Sequence, residues 1–152
     1  MNDTLPNPLE NHLGYWMRFV SNHVSGAFRE RVETRGTTVA EWVALRTLHH
    51  QSPLSLNDLA RETGADKAAA SRLIDQLVKK KLVTRATSPR DRRGVDLSLS
   101  APGKALTAKL AAEADVNDEA FFGGLTAKDQ THLRRILMAL VETNGLTAKP
   151  ME

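Results

Sequence analysis

An arginine-rich loop near the middle of the chain is the feature with the clearest chemistry. It runs Pro89-Arg90-Asp91-Arg92-Arg93-Gly94-Val95 and places three guanidinium groups around one carboxylate. Arginine suits phosphate binding and also enters the narrow, electronegative minor groove of DNA. We expect Arg93 to enter this groove and Arg90 and Arg92 to contact phosphates. Because Asp91 repels phosphate, we expect it to orient Arg93 through a charge-assisted hydrogen bond. A flexible charged turn is the alternative.

A basic helix is predicted over residues 66–80, just before this loop, with Asp66 as its N-cap. Its exposed side carries Lys67, Ala68, Ser71 and Arg72. Short side chains near its start allow close approach to the major groove of DNA, where Ser71 and Arg72 can reach base edges or phosphates. Lysines 79–81 are either a solvated helix end or a set of distant phosphate contacts. The alternative for the whole helix is a solvated face.

Positive charge is concentrated around these two segments. Residues 61–93 contain ten Lys or Arg and four Asp or Glu, a net charge of +6, although the whole chain carries only +3. Such a regional excess is typical of a surface that binds a polyanion, and the spacing of the helix and loop favours duplex DNA.

Composition argues against several other classes of protein. The chain has 152 residues, 41% of them hydrophobic, which is ordinary for one globular domain. It shows no secretory leader and no run of about 18 apolar residues, so we expect a cytoplasmic protein without membrane contact. It has no cysteine, and His12 and His23 lie about 16 Å apart along a helix, too far for one metal ion. Without a glycine-rich phosphate loop or a nucleophile elbow, we predict neither an enzyme nor a cofactor.

The elements that position the basic helix are predicted from capping and periodicity. Thr38 with Glu41 forms a capping box for one helix, and Ser55 caps a short helix that Gly64 ends. This short helix and the basic helix have helix-turn-helix spacing, because Ala60 is small enough for a close crossing and Gly64 permits the tight turn.

A hairpin is predicted after the basic helix, with strands over residues 82–85 and 95–99 and the arginine-rich loop at its tip. Four apolar side chains are expected to hold the strands to the core, namely Val83, Val95, Leu97 and Leu99.

Long amphipathic helices flank this core. Asn7 is expected to cap, and Pro8 to begin, a first helix that extends to about Thr34, and two further helices begin at Ser100 and Thr126. Their apolar faces exceed what one small module can cover, so we predict a symmetric dimer. The alternative is a monomer whose terminal helices pack on its own core.

Residues 56–103 resemble the winged helix-turn-helix core of the MarR family of bacterial repressors. The resemblance rests on Ala60 and Gly64, Ser71-Arg72-Leu73-Ile74-Asp75-Gln76-Leu77, Leu82-Val83-Thr84-Arg85, Asp91-Arg92-Arg93, and Leu99-Ser100 with Gly103. It implies a homodimer on a pseudo-palindromic operator of double-stranded DNA, with recognition helices in major grooves and wings in minor grooves. Arg72 then belongs to the recognition helix, and Asp91 and Arg93 form the wing pair. Lys81 replaces the glycine that the family often has there, so either lysine adopts the post-helical turn at some strain or the turn differs.

The predicted fold class is therefore mainly α with a small β-wing. A single MarR-type domain over residues 1–152 has its winged helix-turn-helix at about 38–100. Dimerisation helices flank it at about 8–36 and 101–145, and a tail covers residues 146–152.

A small effector is also implied, since family members commonly release DNA when an aromatic acid binds between the dimerisation and DNA-binding parts. Trp42 and Arg46, one helical turn apart, offer an aromatic wall and a guanidinium to an aromatic carboxylate or a phenol. Arg72 could be shared between ligand and DNA, and His12 and Trp16 could line the same cavity. A core tryptophan, or a surface arginine or histidine, is the alternative for each.

Together these features predict a ligand-responsive transcriptional regulator, most simply a repressor. A winged-helix module that binds proteins and does not recognise DNA sequence is the alternative.

Overall fold

A computed structural model describes residues 7–147, so residues 148–152 of the predicted tail lie outside the described part. The elements follow in the order 3-10 turn (Leu9–Asn11), α1 (Leu13–Glu33), α2 (Val39–His50), β1 (Leu54–Ser55), α3 (Leu56–Thr63), α4 (Lys67–Lys79), β2 (Val83–Thr87), β3 (Val95–Leu99), α5 (Ala101–Phe122) and α6 (Ala127–Thr143). One antiparallel sheet has the strand order β1-β3-β2. The predicted fold class, mainly α with a small β-wing, is confirmed. None of the described helices is long and apolar enough to cross a membrane.

Side-chain caps begin most of the helices where the sequence predicts them. Thr38 and Glu41 form the reciprocal capping box of α2. At four other helices the N-cap side chain accepts a hydrogen bond from the backbone N–H three residues later, namely at Ser55, Asp66, Ser100 and Thr126. These bonds satisfy helix N–H groups that have no partner within the helix.

The first helix begins later than the sequence predicts. Pro8 precedes the 3-10 turn, and α1 starts only at Leu13, with His12 in an extended conformation at its N-cap. The indole Nε1 of Trp16 donates to the carbonyl of Glu10 at 2.8 Å and so ties the turn to α1. The prediction that Asn7 caps one continuous helix is therefore wrong.

The sheet differs from the predicted hairpin in two ways. Strand β1 adds a third strand that pairs with β3, Leu54 opposite Leu97; with two residues, it is too short to produce an alternating pattern. Val83, Leu97 and Leu99 are buried as predicted, but Val95 is 45% exposed because it lies at the tip end of the hairpin.

The core lies between α2, α3, α4, the sheet and the N-terminal half of α5. Its largest fully buried apolar side chains are Leu45, Leu48, Leu59, Ile74, Leu77, Leu97, Leu110 and Val32. Val32 is the only buried residue of α1, and α6 has none among the described residues. The apolar faces of α6 and of the N-terminal part of α1 are thus largely exposed to solvent within a single chain.

A compact junction joins the end of α4 to the wing and to α5. Lys81 adopts the left-handed conformation, with φ at 61°, so lysine does take the post-helical turn. Its carbonyl accepts from the Ser100 hydroxyl at 2.7 Å, and the Leu82 carbonyl accepts from the Ser100 N–H at 3.0 Å. These contacts fix the start of α5 against the first residues of the wing.

Candidate nucleic-acid interface

Helices α3 and α4 form the helix-turn-helix unit. Gly64 ends α3 with φ at 75°, and the Asp66 carboxylate accepts from the Ala69 N–H at 2.8 Å to begin α4. Ala60 and Ala70 are both buried, as expected of small residues where the two helices cross. This packing turns the opposite side of α4 to solvent.

The exposed side of α4 carries the predicted DNA-binding residues. Lys67, Ala68 and Arg72 are exposed, and Ser71 is half-buried. Neither Lys67 nor Arg72 takes part in an ion pair within the described part of the chain. Gln76, one turn after Arg72, is also exposed and adds an amide to this surface, although it is not among the predicted DNA-binding residues.

The wing tip is shaped by Asp91, but not in the way the sequence predicts. Its carboxylate accepts from the backbone N–H of Arg93 at 3.0 Å, and its carbonyl accepts from the N–H of Gly94 at 2.9 Å. The prediction that Asp91 binds the Arg93 guanidinium is wrong, because the nearer main-chain donor takes the carboxylate in a local turn. Arg92 and Arg93 are exposed and have no ion-pair partner among residues 7–147.

Arg90 differs from its two neighbours at the tip. Its Nη2 lies 3.9 Å from Oδ1 of Asp96, a carboxylate that is only 8% exposed on β3. Asp58 lies at the start of α3, where hydrogen bonds from the Ser55 hydroxyl and from Arg61 lower the pKa of its carboxyl group. The positive charge of Arg90 also lowers the pKa of this carboxyl group. Arg90 is thus directed towards the base of the wing and α3, while its guanidinium stays largely exposed.

Two ion pairs hold α4 in place. Asp75 on α4 pairs with Arg85 on β2 and so links the helix to the wing. Lys80 places its Nζ 2.7 and 2.8 Å from the two carboxylate oxygens of Glu41, which is 1% exposed, and 3.0 Å from the Gly36 carbonyl. The predictions for Lys80, a solvated helix end or a phosphate contact, are therefore wrong, since it joins the end of α4 to the start of α2.

A third charged contact joins the two flanking helices. Glu113 on α5 accepts from Arg35 Nε at 3.0 Å and Nη2 at 2.5 Å, and from Arg31 Nη1 at 3.5 Å. These hydrogen bonds, chiefly the one from Arg35, lower the pKa of the Glu113 carboxyl group.

An open cleft of about 400 Å³ lies between α1, α2 and α5. Trp42 and Arg46 both line it, with Phe28 packed edge-on against Trp42 at a ring separation of 6.3 Å. The other lining residues are Val24, Ser25, Ala111, Ala114, Asp115, Asn117 and Asp118.

The other three predicted pocket residues do not line this cleft. His12 and Trp16 lie at the N-terminal end of α1, and Trp16 is held to the preceding turn by its bond to Glu10. Arg72 lies on the exposed side of α4. The structure therefore brings together two of the five residues proposed for a ligand and leaves the other three apart.

The contribution of α5 to the cleft was not predicted, although one signal for it was present. Leu106, Leu110 and Asn117 follow helical spacing, so Asn117 continues the stripe of α5 that faces the core. A polar amide in this otherwise apolar stripe was that signal. Within the described residues, no group of three or more His, Asp or Glu side chains could hold a metal ion.

The sequence is similar to those of known DNA-binding regulators, which is consistent with the helix-turn-helix and wing described above. The model of the MarR family matches residues 37–95, which include the helix-turn-helix and most of the wing. The transcriptional repressor NicR of Pseudomonas putida is 23% identical over 142 residues, or 93% of this chain and 90% of NicR.

Solved structures of similar proteins share the fold of this chain. BpsR of Bordetella bronchiseptica, solved in work on regulation of its DNA binding by 6-hydroxynicotinic acid, has a TM-score of 0.74 and 26% identity, covering 90% of this chain and 97% of BpsR. A mutant of Escherichia coli MarR complexed with operator DNA shares the fold, with a TM-score of 0.75 and 23% identity over 89% of this chain and 99% of that one. These comparisons support a MarR-family winged helix-turn-helix transcriptional regulator.

Proposed function

We propose that this protein is a repressor that binds a pseudo-palindromic DNA operator as a homodimer and is released by a small aromatic acid. The observation that carries the proposal is the pair of exposed cationic elements, α4 and the wing tip, joined by the ion pair between Asp75 and Arg85. The guanidinium groups of Arg72, Arg92 and Arg93 have no ion-pair partner among residues 7–147, so no intramolecular carboxylate has to be displaced before they bind DNA.

Each element has a distinct role in this proposal. Lys67, Ala68, Ser71 and Arg72 enter the major groove, where Arg72 can bind guanine in a bidentate manner. Arg93 enters the minor groove, and Arg90 and Arg92 contact phosphates. Asp91 does not touch DNA but fixes the backbone of the loop from which these arginines project.

The dimer is proposed from the apolar surface that the fold leaves open. Exposed large apolar side chains cluster on the N-terminal part of α1 and on α6, namely Leu13, Trp16, Met17, Phe19, Val20, Ile136, Leu137, Met138 and Val141. Contiguous apolar surface on two helices is typical of an interface. In the proposed single MarR-type domain, the helices of residues 8–36 and 101–145 supply this interface and the winged module of residues 38–100 binds DNA.

The effector is proposed to bind in the cleft beside Trp42 and Arg46. A guanidinium and an aromatic wall suit an aromatic carboxylate or a phenol, and the regulation of BpsR by 6-hydroxynicotinic acid supports a ligand of this class. Glu41, next to Trp42 on α2, binds Lys80 at the end of α4. A movement of α2 on ligand binding would therefore be transmitted to α4 through this ion pair.

Selection of duplexes from a random DNA pool tests the DNA-binding function. We expect enrichment of an inverted repeat with half-sites about one helical turn apart. Binding that is insensitive to salt and shows no sequence preference would contradict the proposal and support the protein-interaction module instead.

Light scattering of the purified protein tests the dimer. We expect twice the chain mass for the wild type and a monomer for Leu137→Glu, whereas Lys128→Glu, on the same helix, leaves the mass unchanged. A monomeric wild type would contradict the proposed assembly.

A further inference from the structure

We propose that Arg85 binds a phosphate of the DNA strand lying between the two grooves that α4 and the wing enter, and that Asp75 holds Arg85 in position for this contact. The inference rests on the proposed DNA-binding function and adds a contact between its two elements. It arises from an acidic side chain on the side of α4 assigned to DNA and from the cation that this acid binds.

Asp75 lies on the same side of α4 as residues proposed to enter the major groove. It follows Ser71 by four residues and Arg72 by three, so these side chains share one face of the helix. Asp75 is exposed there, as is the neighbouring Gln76. A carboxylate on this face repels DNA phosphates unless a cation neutralises it.

The cation that neutralises Asp75 comes from the wing. Nη2 of Arg85, on β2, donates to Oδ1 of Asp75, and within the described part of the chain neither side chain has another hydrogen bond or ion pair. A guanidinium carries five N–H groups in a planar fork, so one bond to Asp75 leaves the others for a second acceptor. The Arg85 side chain is 41% exposed. The pair therefore holds an arginine whose remaining donors can reach a ligand.

Arg85 also lies between the two elements assigned to DNA. Helix α4 packs against β2, and Arg85 is in the middle of β2, opposite Leu97, whereas the wing tip is at the far end of the hairpin. Neighbouring major and minor grooves share one sugar–phosphate strand as their common wall. A protein with α4 in one groove and the wing tip in the other must straddle that strand, which then passes across the junction of α4 and β2. Arg85 is thus in position to bind one of its phosphates.

The sign of one substitution distinguishes this role from a simple charge effect. An acid that only lies near DNA weakens binding, so Asp75→Asn would then strengthen it. An acid that positions Arg85 strengthens binding, so Asp75→Asn should weaken it although the protein becomes more positive.

Fluorescence anisotropy of the full-length protein, with its selected operator and with a duplex of scrambled sequence, tests the inference. We expect Arg85→Ala to weaken binding to both duplexes about 10-fold, because a phosphate contact carries no sequence information. Its log–log salt slope should be smaller by about 0.9, the value for one phosphate. Asp75→Asn should weaken operator binding about 3-fold, and adding it to Arg85→Ala should cause no further loss. The matched controls, Arg29→Ala and Glu30→Gln, change exposed residues of α1 and should leave affinity and slope unchanged.

The outcomes separate this inference from the proposed function. If Arg85→Ala keeps the wild-type affinity and salt slope while Arg93→Ala weakens binding, the DNA-binding function stands and the role of Arg85 is overturned. Unchanged or tighter operator binding by Asp75→Asn overturns the positioning role of Asp75. If the wild type shows neither sequence preference nor salt dependence, the proposed function and this inference both fail. Because Asp75→Asn is isosteric and exposed, the sign of its effect decides the question even if Arg85→Ala does not fold.

Discussion

Replacing Gly103 with alanine tests how tightly the first turn of α5 is held against the wing. A Cβ at this position would lie 2.0 Å from the carbonyl oxygen of Leu82 and 3.0 Å from its carbonyl carbon. Because ordinary contacts lie near ~3.5 Å, the two backbone segments must separate by more than about 1 Å. Neither atom belongs to a flexible side chain, so the junction itself has to move.

The cost follows from the hydrogen bonds at this junction. Ser100 donates from its N–H to Leu82 at 3.0 Å and from its hydroxyl to Lys81 at 2.7 Å, and the same hydroxyl accepts from the Gly103 N–H at 3.0 Å. Losing three bonds at about 1 kcal/mol each costs about 3 kcal/mol. Alanine recovers up to about 1 kcal/mol in helix propensity. We therefore expect the free energy of unfolding to fall by about 2 kcal/mol.

Urea unfolding followed by tryptophan fluorescence measures this change, at one fixed protein concentration because a dimer's stability depends on it. Gly26→Ala is the matched control, since it makes the same substitution inside α1, where a Cβ would meet nothing within 4 Å. The control should be about 0.5–1 kcal/mol more stable than the wild type. A Gly103→Ala protein as stable as the wild type would refute the close approach between α5 and the wing.

Three further predictions concern stability measured in the same way. Lys81→Gly should raise the free energy of unfolding by about 1 kcal/mol, because lysine pays a steric cost at φ 61° that glycine avoids; a loss of stability would contradict this. Lys80→Met should lower the free energy of unfolding by about 2 kcal/mol, a moderate value because Lys80 is 42% exposed. Adding Glu41→Gln to this variant should recover most of the loss, because it removes the buried charge that has lost its partner. The pKa values of Glu113 and Asp58 are lower in the folded protein than in the unfolded chain, where they are about 4.3 for Glu and 3.9 for Asp. Each carboxylate therefore stabilises the fold fully above its unfolded pKa, and this stabilisation is lost as the pH falls through the lower folded pKa. Glu113→Gln should flatten the loss of stability below about pH 4, and an unchanged acid profile would contradict its pairing with arginine.

Local interactions made much of the fold predictable from the sequence. The capping box of Thr38 and Glu41 and the cap at Ser100 act over three residues, so residue types at fixed spacing reveal them. The turn at Gly64 and the hairpin strands are equally local. The start of α1 was mispredicted because a tertiary bond, from Trp16 to Glu10, favours a separate turn over a continuous helix.

Contacts between distant segments could not be predicted in the same way. Glu41 and Lys80 are 39 residues apart, and the role of Glu41 in capping gave no sign of a second partner. The cleft likewise depends on how α5 packs against α1 and α2, so only its α2 residues, Trp42 and Arg46, were found from the sequence. Asp91 was recognised as important, but its preference for backbone over a guanidinium depends on the local geometry of the loop.

The salt dependence of operator binding by Arg93→Ala tests the central claim most directly. Fluorescence anisotropy with the selected inverted repeat compares the wild type, Arg93→Ala, and the charge-matched control Arg29→Ala, whose arginine is exposed on α1 outside the proposed interface. We expect Arg93→Ala to lose about 1–3 kcal/mol of binding free energy and the control to change little. For the wild type, the affinity should fall steeply with salt, at a log–log slope near −0.9 per neutralised phosphate. Unchanged operator affinity of Arg93→Ala at physiological salt would contradict the assignment of the wing to DNA.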